Sequence, residues 1–167
     1  MLLRLQFLLA LLLPFGPAMA TSLPMPEGEV ILRIHGAITQ TNMPEIVAFD
    51  MAMLDALEHR QTITETPWYD VPQDFTGPTL ATLLSLVGAT GQNLRIVAIN
   101  DYAVTMPVSD TQASPVILAS RLAGQPLSVR EKGPLFVIYP FSEMPHLKNE
   151  TMFSRSVWQV ISIEVLP

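Results

Sequence analysis

The sequence predicts an α+β, β-rich single domain. Short segments rich in β-branched and aromatic residues follow one another between turns that contain Gly, Pro or Asp. Only two stretches place apolar residues near the helical repeat. The 167 residues suffice for one ordinary hydrophobic core. Many short strands with two helices are typical of the α+β class.

The first twenty residues are typical of a signal peptide and not of a folded element. Arg4 precedes an apolar run (5–13), a Pro-Phe-Gly-Pro break follows, and Ala18-Met19-Ala20 matches the small-residue pattern of a cleavage site. We therefore expect cleavage after Ala20 and a periplasmic location. A retained membrane anchor is the alternative, which the shortness of the apolar run disfavours.

The first half of the domain, which we expect to span 30–167, contains one clear strand pattern. In "TITET" polar and apolar residues alternate, and Pro67 then ends the pattern just before Trp68 and Tyr69. Pro44 stands at a plausible first position of a helix. In chain order the predicted elements are a Pro-rich lead-in (21–29), a strand (30–36), a helix (43–60), a strand (60–66) and an irregular segment (67–78).

The second half begins with an amphipathic helix that has Gly88 near its end, where glycine favours termination. Asp101 separates two alternating runs, which predicts a hairpin. In chain order the predicted elements are a helix (79–89), a hairpin (93–100 with 102–108), a strand and turn (114–127), a basic loop and buried strand (128–141), a polar loop (142–155) and a last strand (156–165).

Strand parity predicts where the two tryptophans point. Trp68 continues the face of Thr62, Thr64 and Thr66, which we expect to be wet. Trp158 lies beside Arg155, and each Trp is consistent either with packing under a loop or with the wall of a pocket. In the last strand we expect Val157, Ile161, Ile163 and Val165 to face the core, and Trp158, Val160, Ser162 and Glu164 to face away.

Charge and composition exclude several classes of function. A net charge of −6 disfavours binding to nucleic acid or to anionic membrane surfaces, where cationic side chains are needed. The absence of cysteine excludes thiol catalysis and thiolate metal sites. His35, His59 and His146 lack metal-ligand spacing, so no metal site is expected. Arg130 and Lys132 are consistent with an anion or heterocycle site or with a solvated turn.

Four blocks follow one another along the chain: "FTGPTLATLLSLVGA", "LRIVAINDYAVTMPVSD", "PVILASRLAGQPLSVREKGPLFVIYPF" and "SRSVWQVISIEV". This ordered series resembles the oxidoreductase molybdopterin-binding domain, which has the sulfite-oxidase fold, and the match covers residues 30–166. Asn100 precedes Asp101-Tyr102 where that family often has Asp-Gly-Tyr, which is a departure from its pattern.

The resemblance implies a pterin-accommodating cleft. Molybdenum-using members hold the metal through a cysteine after the early T-x-T strand, where this chain has Pro67-Trp68-Tyr69. The chain is more similar to small, exported, cysteine-free members of the fold. These are expected to bind a reduced pterin without metal and to contact the periplasmic domain of a membrane-bound cyclic-di-GMP enzyme, which affects biofilm formation.

The resemblance and the residue patterns together imply a non-catalytic signalling protein with no direct membrane binding after signal cleavage. Two alternatives stay open: a molybdopterin-dependent oxidoreductase or degenerate relative, and an interaction module with an empty cleft. No catalytic or metal-binding residue is expected. The expected ligand-binding residues are Trp68, Tyr69, Asp101, Tyr102, Arg130, Lys132, Tyr139, Arg155 and Trp158.

Overall fold

A computed structural model describes residues 23–167, so the predicted signal peptide and its cleavage site lie outside the described residues. Within that range, no helix is long and apolar enough to cross a lipid bilayer. The strands are β1 (Leu32–Gly36), β2 (Ile46–Phe49), β3 (His59–Thr66), β4 (Tyr69–Pro78), β5 (Asn93–Ala98), β6 (Ala103–Pro107), β7 (Ile117–Ala119), β8 (Arg121–Leu122), β9 (Gln125–Pro126), β10 (Phe136–Ile138) and β11 (Val160–Leu166). The helices are α1 (Met51–Asp55), α2 (Leu80–Leu86), α3 (Ser109–Ala113) and α4 (Glu150–Arg155), with 3-10 turns at Val129–Glu131 and Pro145–Leu147.

The described strands form three sheets. A five-stranded sheet has the order β2-β1-β11-β5-β6, in which β1 and β11 are parallel and the other neighbours are antiparallel. A four-stranded antiparallel sheet has the order β3-β4-β8-β9. A two-stranded antiparallel ribbon pairs β7 with β10. The last strand therefore lies at the centre of the larger sheet, beside the first.

The β7–β10 ribbon is buried on both faces and separates two apolar clusters. Because side chains alternate along a strand, Val137 faces the larger cluster, while Phe136 and Ile138 face the smaller one. The same alternation places Leu118 in the larger cluster. Trp68 and Tyr69 pack at the edge of the smaller cluster, so this cluster supports the chain segment that follows β3.

Several predicted elements are confirmed, among them the hairpin of β5 and β6, the buried strand β10 and the helix α2. Thr79 caps α2 because its hydroxyl oxygen accepts a hydrogen bond from the backbone N–H of Thr82 at 3.0 Å. Gly88 adopts a φ of 60°, the left-handed conformation that commonly ends helices.

The predicted helix over 43–60 is wrong. Residues 46–49 form β2, which pairs with β1, so a long-range ladder overrides the local apolar spacing. Asp50 then caps the short helix α1 by accepting a hydrogen bond from the backbone N–H of Met53 at 2.9 Å, and it also accepts one from Gly28 at 2.8 Å. These backbone donors lower the pKa of Asp50.

Two segments expected to be irregular contain regular structure. Residues 69–78 form β4, paired with β3; Pro72 is tolerated because the register shifts between Thr64 and Thr66 and leaves it outside the ladder. The predicted polar loop over 142–155 contains α4, which Asn149 caps by accepting a hydrogen bond from the backbone N–H of Met152 at 3.1 Å.

The expected faces of two strands also need correction. Thr62, Thr64 and Thr66 are buried, whereas Ile63 between them is 57% exposed, so the threonine face is the inner one. A threonine methyl packs well in a strand, and residue polarity therefore misassigned the faces. In β11 the register shifts between Val160 and Ser162, which buries Val160 and contradicts simple alternation from Val157 onward.

We expect Gly77→Ala to destabilise the fold strongly. A Cβ atom at this position of β4 would collide with the carbonyl oxygen of Leu118 in β7, where the backbones cannot separate without disturbing the buried ribbon. The expected loss in the free energy of unfolding is about 2–4 kcal/mol. Gly124→Ala is the control for the steric collision, because a Cβ atom there meets open space and the only cost is an alanine in the left-handed region (φ 76°), about 1–2 kcal/mol. Chemical denaturation measures both, and equal losses would contradict the steric explanation.

Candidate ligand-binding site

A cavity of about 390 Å³ opens where the β5–β6 turn, the β3–β4 turn and the segment that joins α4 to β11 meet. Five of its ten lining residues come from the continuous segment 153–158. The lining residues are Pro67, Trp68, Ala98, Asn100, Tyr102, Phe153, Ser154, Ser156, Val157 and Trp158.

Aromatic side chains form the floor and one wall of the cavity. The ring centroids of Trp68 and Trp158 lie 5.7 Å apart with an edge-on geometry. Phe136 of the ribbon supports both tryptophans, at 5.4 Å from Trp68 and 6.1 Å from Trp158. Phe153 completes the group at 6.2 Å from Trp68. Edge-to-face contacts, and a tilted one between Trp68 and Phe136, hold these rings together, so they form a continuous apolar surface.

Three neutral polar side chains line the cavity beside the rings. The hydroxyl of Ser154 donates to the carbonyl oxygen of Thr151 at 2.8 Å, and that of Ser156 donates to Met152 at 3.0 Å. Because each hydroxyl proton is engaged, both serines can offer oxygen lone pairs to a ligand. Asn100 adds a carboxamide from the β5–β6 turn. The site thus combines flat apolar faces with hydrogen-bond acceptors.

Three of the nine predicted ligand-binding residues line the cavity, namely Trp68, Tyr102 and Trp158. Trp158 is 38% exposed and Tyr102 is 49% exposed, so both rings border the mouth. Asp101 lies beside Tyr102 at the tip of the β5–β6 turn, with a φ of 65°, and does not line the cavity. The departure from the Asp-Gly-Tyr pattern is therefore accommodated by an Asp in the left-handed conformation, which Asp tolerates better than most residues.

Tyr69, Arg130 and Lys132 lie outside the cavity lining. The Tyr69 ring packs against Phe75 with ring centroids 5.9 Å apart, and the Lys132 ammonium lies 4.6 Å from the Tyr69 centroid. This cation–π contact connects β4 to the segment that follows the 3-10 turn. Arg130 lies exposed in that turn. The basic residues thus form a separate surface beyond the aromatic floor.

Tyr139 and Arg155 also lie outside the cavity lining, in a network that the sequence did not predict. The Arg155 guanidinium binds the Asp110 carboxylate at 2.7 Å, with the two side chains 20% and 15% exposed. Fully buried Tyr139 donates its hydroxyl to the same carboxylate oxygen at 2.9 Å. Burial, and then the negative charge of Asp110, raise the pKa of Tyr139 far above its ordinary value.

The functional residues that the sequence analysis missed are Asn100, Phe153, Ser154, Ser156 and Asp110. The sequence pattern predicts a loop up to residue 155 and a strand from residue 156, so no face could be given to residues 153–155. Asn149 followed by an acidic residue is a helix-start signal that would have identified α4. Asp110 carried no local signal, because its partners are 29 and 45 residues away.

The side chains at the cavity do not fit a molybdenum cofactor. The sequence contains no cysteine, so the thiolate that the resemblance associates with the metal is replaced by Pro67-Trp68-Tyr69. Within residues 23–167, no group of three or more His, Asp or Glu side chains is arranged to hold a metal ion. The phosphate of a molybdopterin would also lack a cationic partner among the described lining residues.

No protein-family model and no curated protein matches the chain. Among solved structures, it is similar to the sulfane dehydrogenase SoxCD from Paracoccus pantotrophus, with a TM-score of 0.60 and 17% sequence identity. The match covers 81% of this chain but only 37% of that one, so this chain corresponds to a part of the larger protein. The similarity confirms the predicted α+β, β-rich fold of the sulfite-oxidase type.

We expect Tyr139→Phe to lower the free energy of unfolding by about 1–2 kcal/mol near neutral pH, because a buried hydrogen bond to a carboxylate is lost. The difference in the free energy of unfolding between the wild type and Tyr139→Phe should shrink above about pH 10, the ordinary tyrosine pKa. There the unfolded wild type gains stability by ionising Tyr139, while the folded state, with its raised pKa, cannot. Denaturant titrations from pH 7 to 11 measure this, and a constant difference would contradict it.

Proposed function

We propose that the protein binds a planar, reduced pterin in this cavity and performs no chemistry on it. The observation that carries the proposal is the meeting of Trp68, Tyr102 and Trp158 around a cavity of about 390 Å³. Rigid aromatic faces favour flat heteroaromatic ligands, because both surfaces lose water when they stack. The volume falls in the range of small-molecule pockets, roughly 300–1,000 Å³.

The polar lining agrees with a ring that carries N–H donors on its edge. Ser154 and Ser156 present hydroxyl oxygens whose protons are already donated to α4 carbonyls. Asn100 supplies an amide that can both donate and accept. A reduced pterin has amino and ring N–H groups as well as a carbonyl oxygen, so its polar edge would find partners of both kinds. Unpaired polar edges in a desolvated site would weaken binding.

The charge of the site favours a neutral ligand. Among the described residues, none that lines the cavity carries a formal charge, and nearby Arg155 is already paired with Asp110. A phosphate would have to be desolvated without a counter-ion, which is costly. We therefore propose an unphosphorylated pterin and not molybdopterin.

We also propose, on the strength of the sequence resemblance, that the protein acts in the periplasm as a signalling partner. With ligand bound, the mouth of the cavity would contact the periplasmic domain of a membrane-bound cyclic-di-GMP enzyme. Exposed apolar side chains are present there, namely Ile99, Tyr102 and Trp158. A ligand changes such signalling only if it binds one state better than the other.

Deletion of the gene is expected to change cellular cyclic-di-GMP and biofilm formation, and the wild-type gene should restore both. A gene carrying Trp158→Ala should restore neither, because the substitution removes an aromatic face that would contact the ligand and changes the surface at the mouth of the cavity. Quantification of the nucleotide in the three strains tests this. Full restoration by the Trp158→Ala gene would contradict a ligand-dependent signal.

Titration of the purified protein with a tetrahydropterin under reducing conditions is expected to quench tryptophan emission and to release heat. Both tryptophans of the chain line the cavity, so the emission reports on this site alone. Trp158→Ala should cost about 1–3 kcal/mol of binding free energy, the value typical of one aromatic stacking partner.

Arg130→Ala is the matched control for the titration, because Arg130 is exposed and does not line the cavity. Its dissociation constant should equal that of the wild type. Neither quenching nor heat with any tetrahydropterin up to millimolar concentration would overturn the proposal and favour an interaction module with an empty cleft.

A molybdopterin-dependent oxidoreductase is the second candidate, and the fold similarity to a sulfane dehydrogenase favours it. Elemental analysis of protein purified from its own periplasm separates the two candidates. We expect molybdenum far below one atom per chain, because no thiolate is available to hold it. Stoichiometric molybdenum would overturn the binding-protein proposal.

A further inference from the structure

The wall of the cavity formed by residues 153–158 has one member that turns away from the ligand space. Phe153, Ser154, Ser156, Val157 and Trp158 line the cavity, whereas Arg155 does not. Its guanidinium instead reaches the Asp110 carboxylate of α3, 2.7 Å away. A single ion pair therefore lies in the middle of the segment that supplies half of the lining.

The helix that carries this wall cannot hold its own position. α4 has six residues, and none of them is fully buried. Isolated helices this short are unstable in water, so tertiary contacts must fix α4. Phe153 provides one contact by packing against Phe141 at 5.1 Å. The Arg155–Asp110 ion pair provides a second contact, at the C-terminal end of α4.

Asp110 is itself held rigidly. Tyr139, which is fully buried next to β10, donates its hydroxyl to the same Asp110 oxygen that receives Arg155, at 2.9 Å. Both side chains of the ion pair are mostly shielded from water, which strengthens the pair compared with a surface salt bridge. Asp110 thus links the wall of the cavity to the protein core.

We propose that Asp110 and Arg155 are positioning residues of the ligand site: their ion pair fixes residues 153–156 of the wall against the core and keeps Ser154 and Ser156 in binding geometry. Trp158 is held separately, by its backbone bridge to Phe136 of β10. Neither residue touches the ligand. The proposal rests on the proposed pterin-binding function, and it replaces the expectation that Arg155 binds the ligand directly.

The test compares Asp110→Asn, Arg155→Gln and Arg155→Lys with the control Arg121→Gln. The control breaks an ion pair of the same length, Arg121 with Asp55 at 2.7 Å, that does not involve the cavity lining. Two quantities are measured on each full-length mature protein: the dissociation constant for tetrahydropterin and the hydrogen–deuterium exchange of amides 150–158 without ligand.

We expect Asp110→Asn and Arg155→Gln to raise the dissociation constant about tenfold, and to accelerate exchange within 150–158 but not across the β-sheets. Arg155→Lys should recover part of the affinity and part of the protection from exchange, because lysine retains a positive charge at this position. Arg121→Gln should leave both unchanged. Wild-type affinity and wild-type exchange in the first two variants would overturn the proposal.

The hydrogen–deuterium exchange measurement tests the role of the ion pair independently of the proposed pterin binding. If the wild type binds no tetrahydropterin, the proposed function fails, and exchange in 150–158 alone decides whether the ion pair fixes the wall. If Asp110→Asn and Arg155→Gln do not fold, Arg155→Lys decides: faster exchange confined to 150–158 supports the proposal, and uniform acceleration along the chain overturns it.

Discussion

The burial of the β7–β10 ribbon on both faces is the constraint on which the rest of the structure depends. Alternation along β10 sends Val137 into one apolar cluster and Phe136 into the other, so one short strand joins two cores. Phe136 in turn supports Trp68 and Trp158. The aromatic floor of the cavity is therefore an extension of the core, and its rigidity follows from core packing.

A fold shared with part of a dehydrogenase does not by itself imply dehydrogenase chemistry, because function resides in the side chains of the site. Here the stretch after β3 supplies an aromatic ring where molybdenum-using members of the family that the sequence resembles are expected to have a thiolate. Two of the three cations expected to bind ligand are engaged elsewhere, Arg155 with Asp110 and Lys132 with the Tyr69 ring, and Arg130 lies exposed outside the cavity lining. The result is an uncharged aromatic cavity lined by hydrogen-bond acceptors, which is the basis of the proposed binding of a flat ligand.

Local signals predicted elements whose structure is decided locally. The Thr79 cap and Gly88 bound α2, and the turn at Asp101 joins two strands that alternate regularly. Prediction failed where distant contacts decide the outcome, as for residues 46–49, which pair with β1 despite their helical spacing. The same limit applies to the site: the two tryptophans were identifiable from strand ends, but the partner of Arg155 lies in another helix.

The concentration of half of the cavity lining in the continuous segment 153–158 has an evolutionary consequence. A binding surface assembled from many distant segments changes specificity only through several coordinated substitutions. Here a few neighbouring codons encode the serine acceptors, one aromatic wall and the anchor between them. Substitution or replacement of this one stretch can therefore change the ligand preference of the proposed site while the sheets and the ribbon stay as they are.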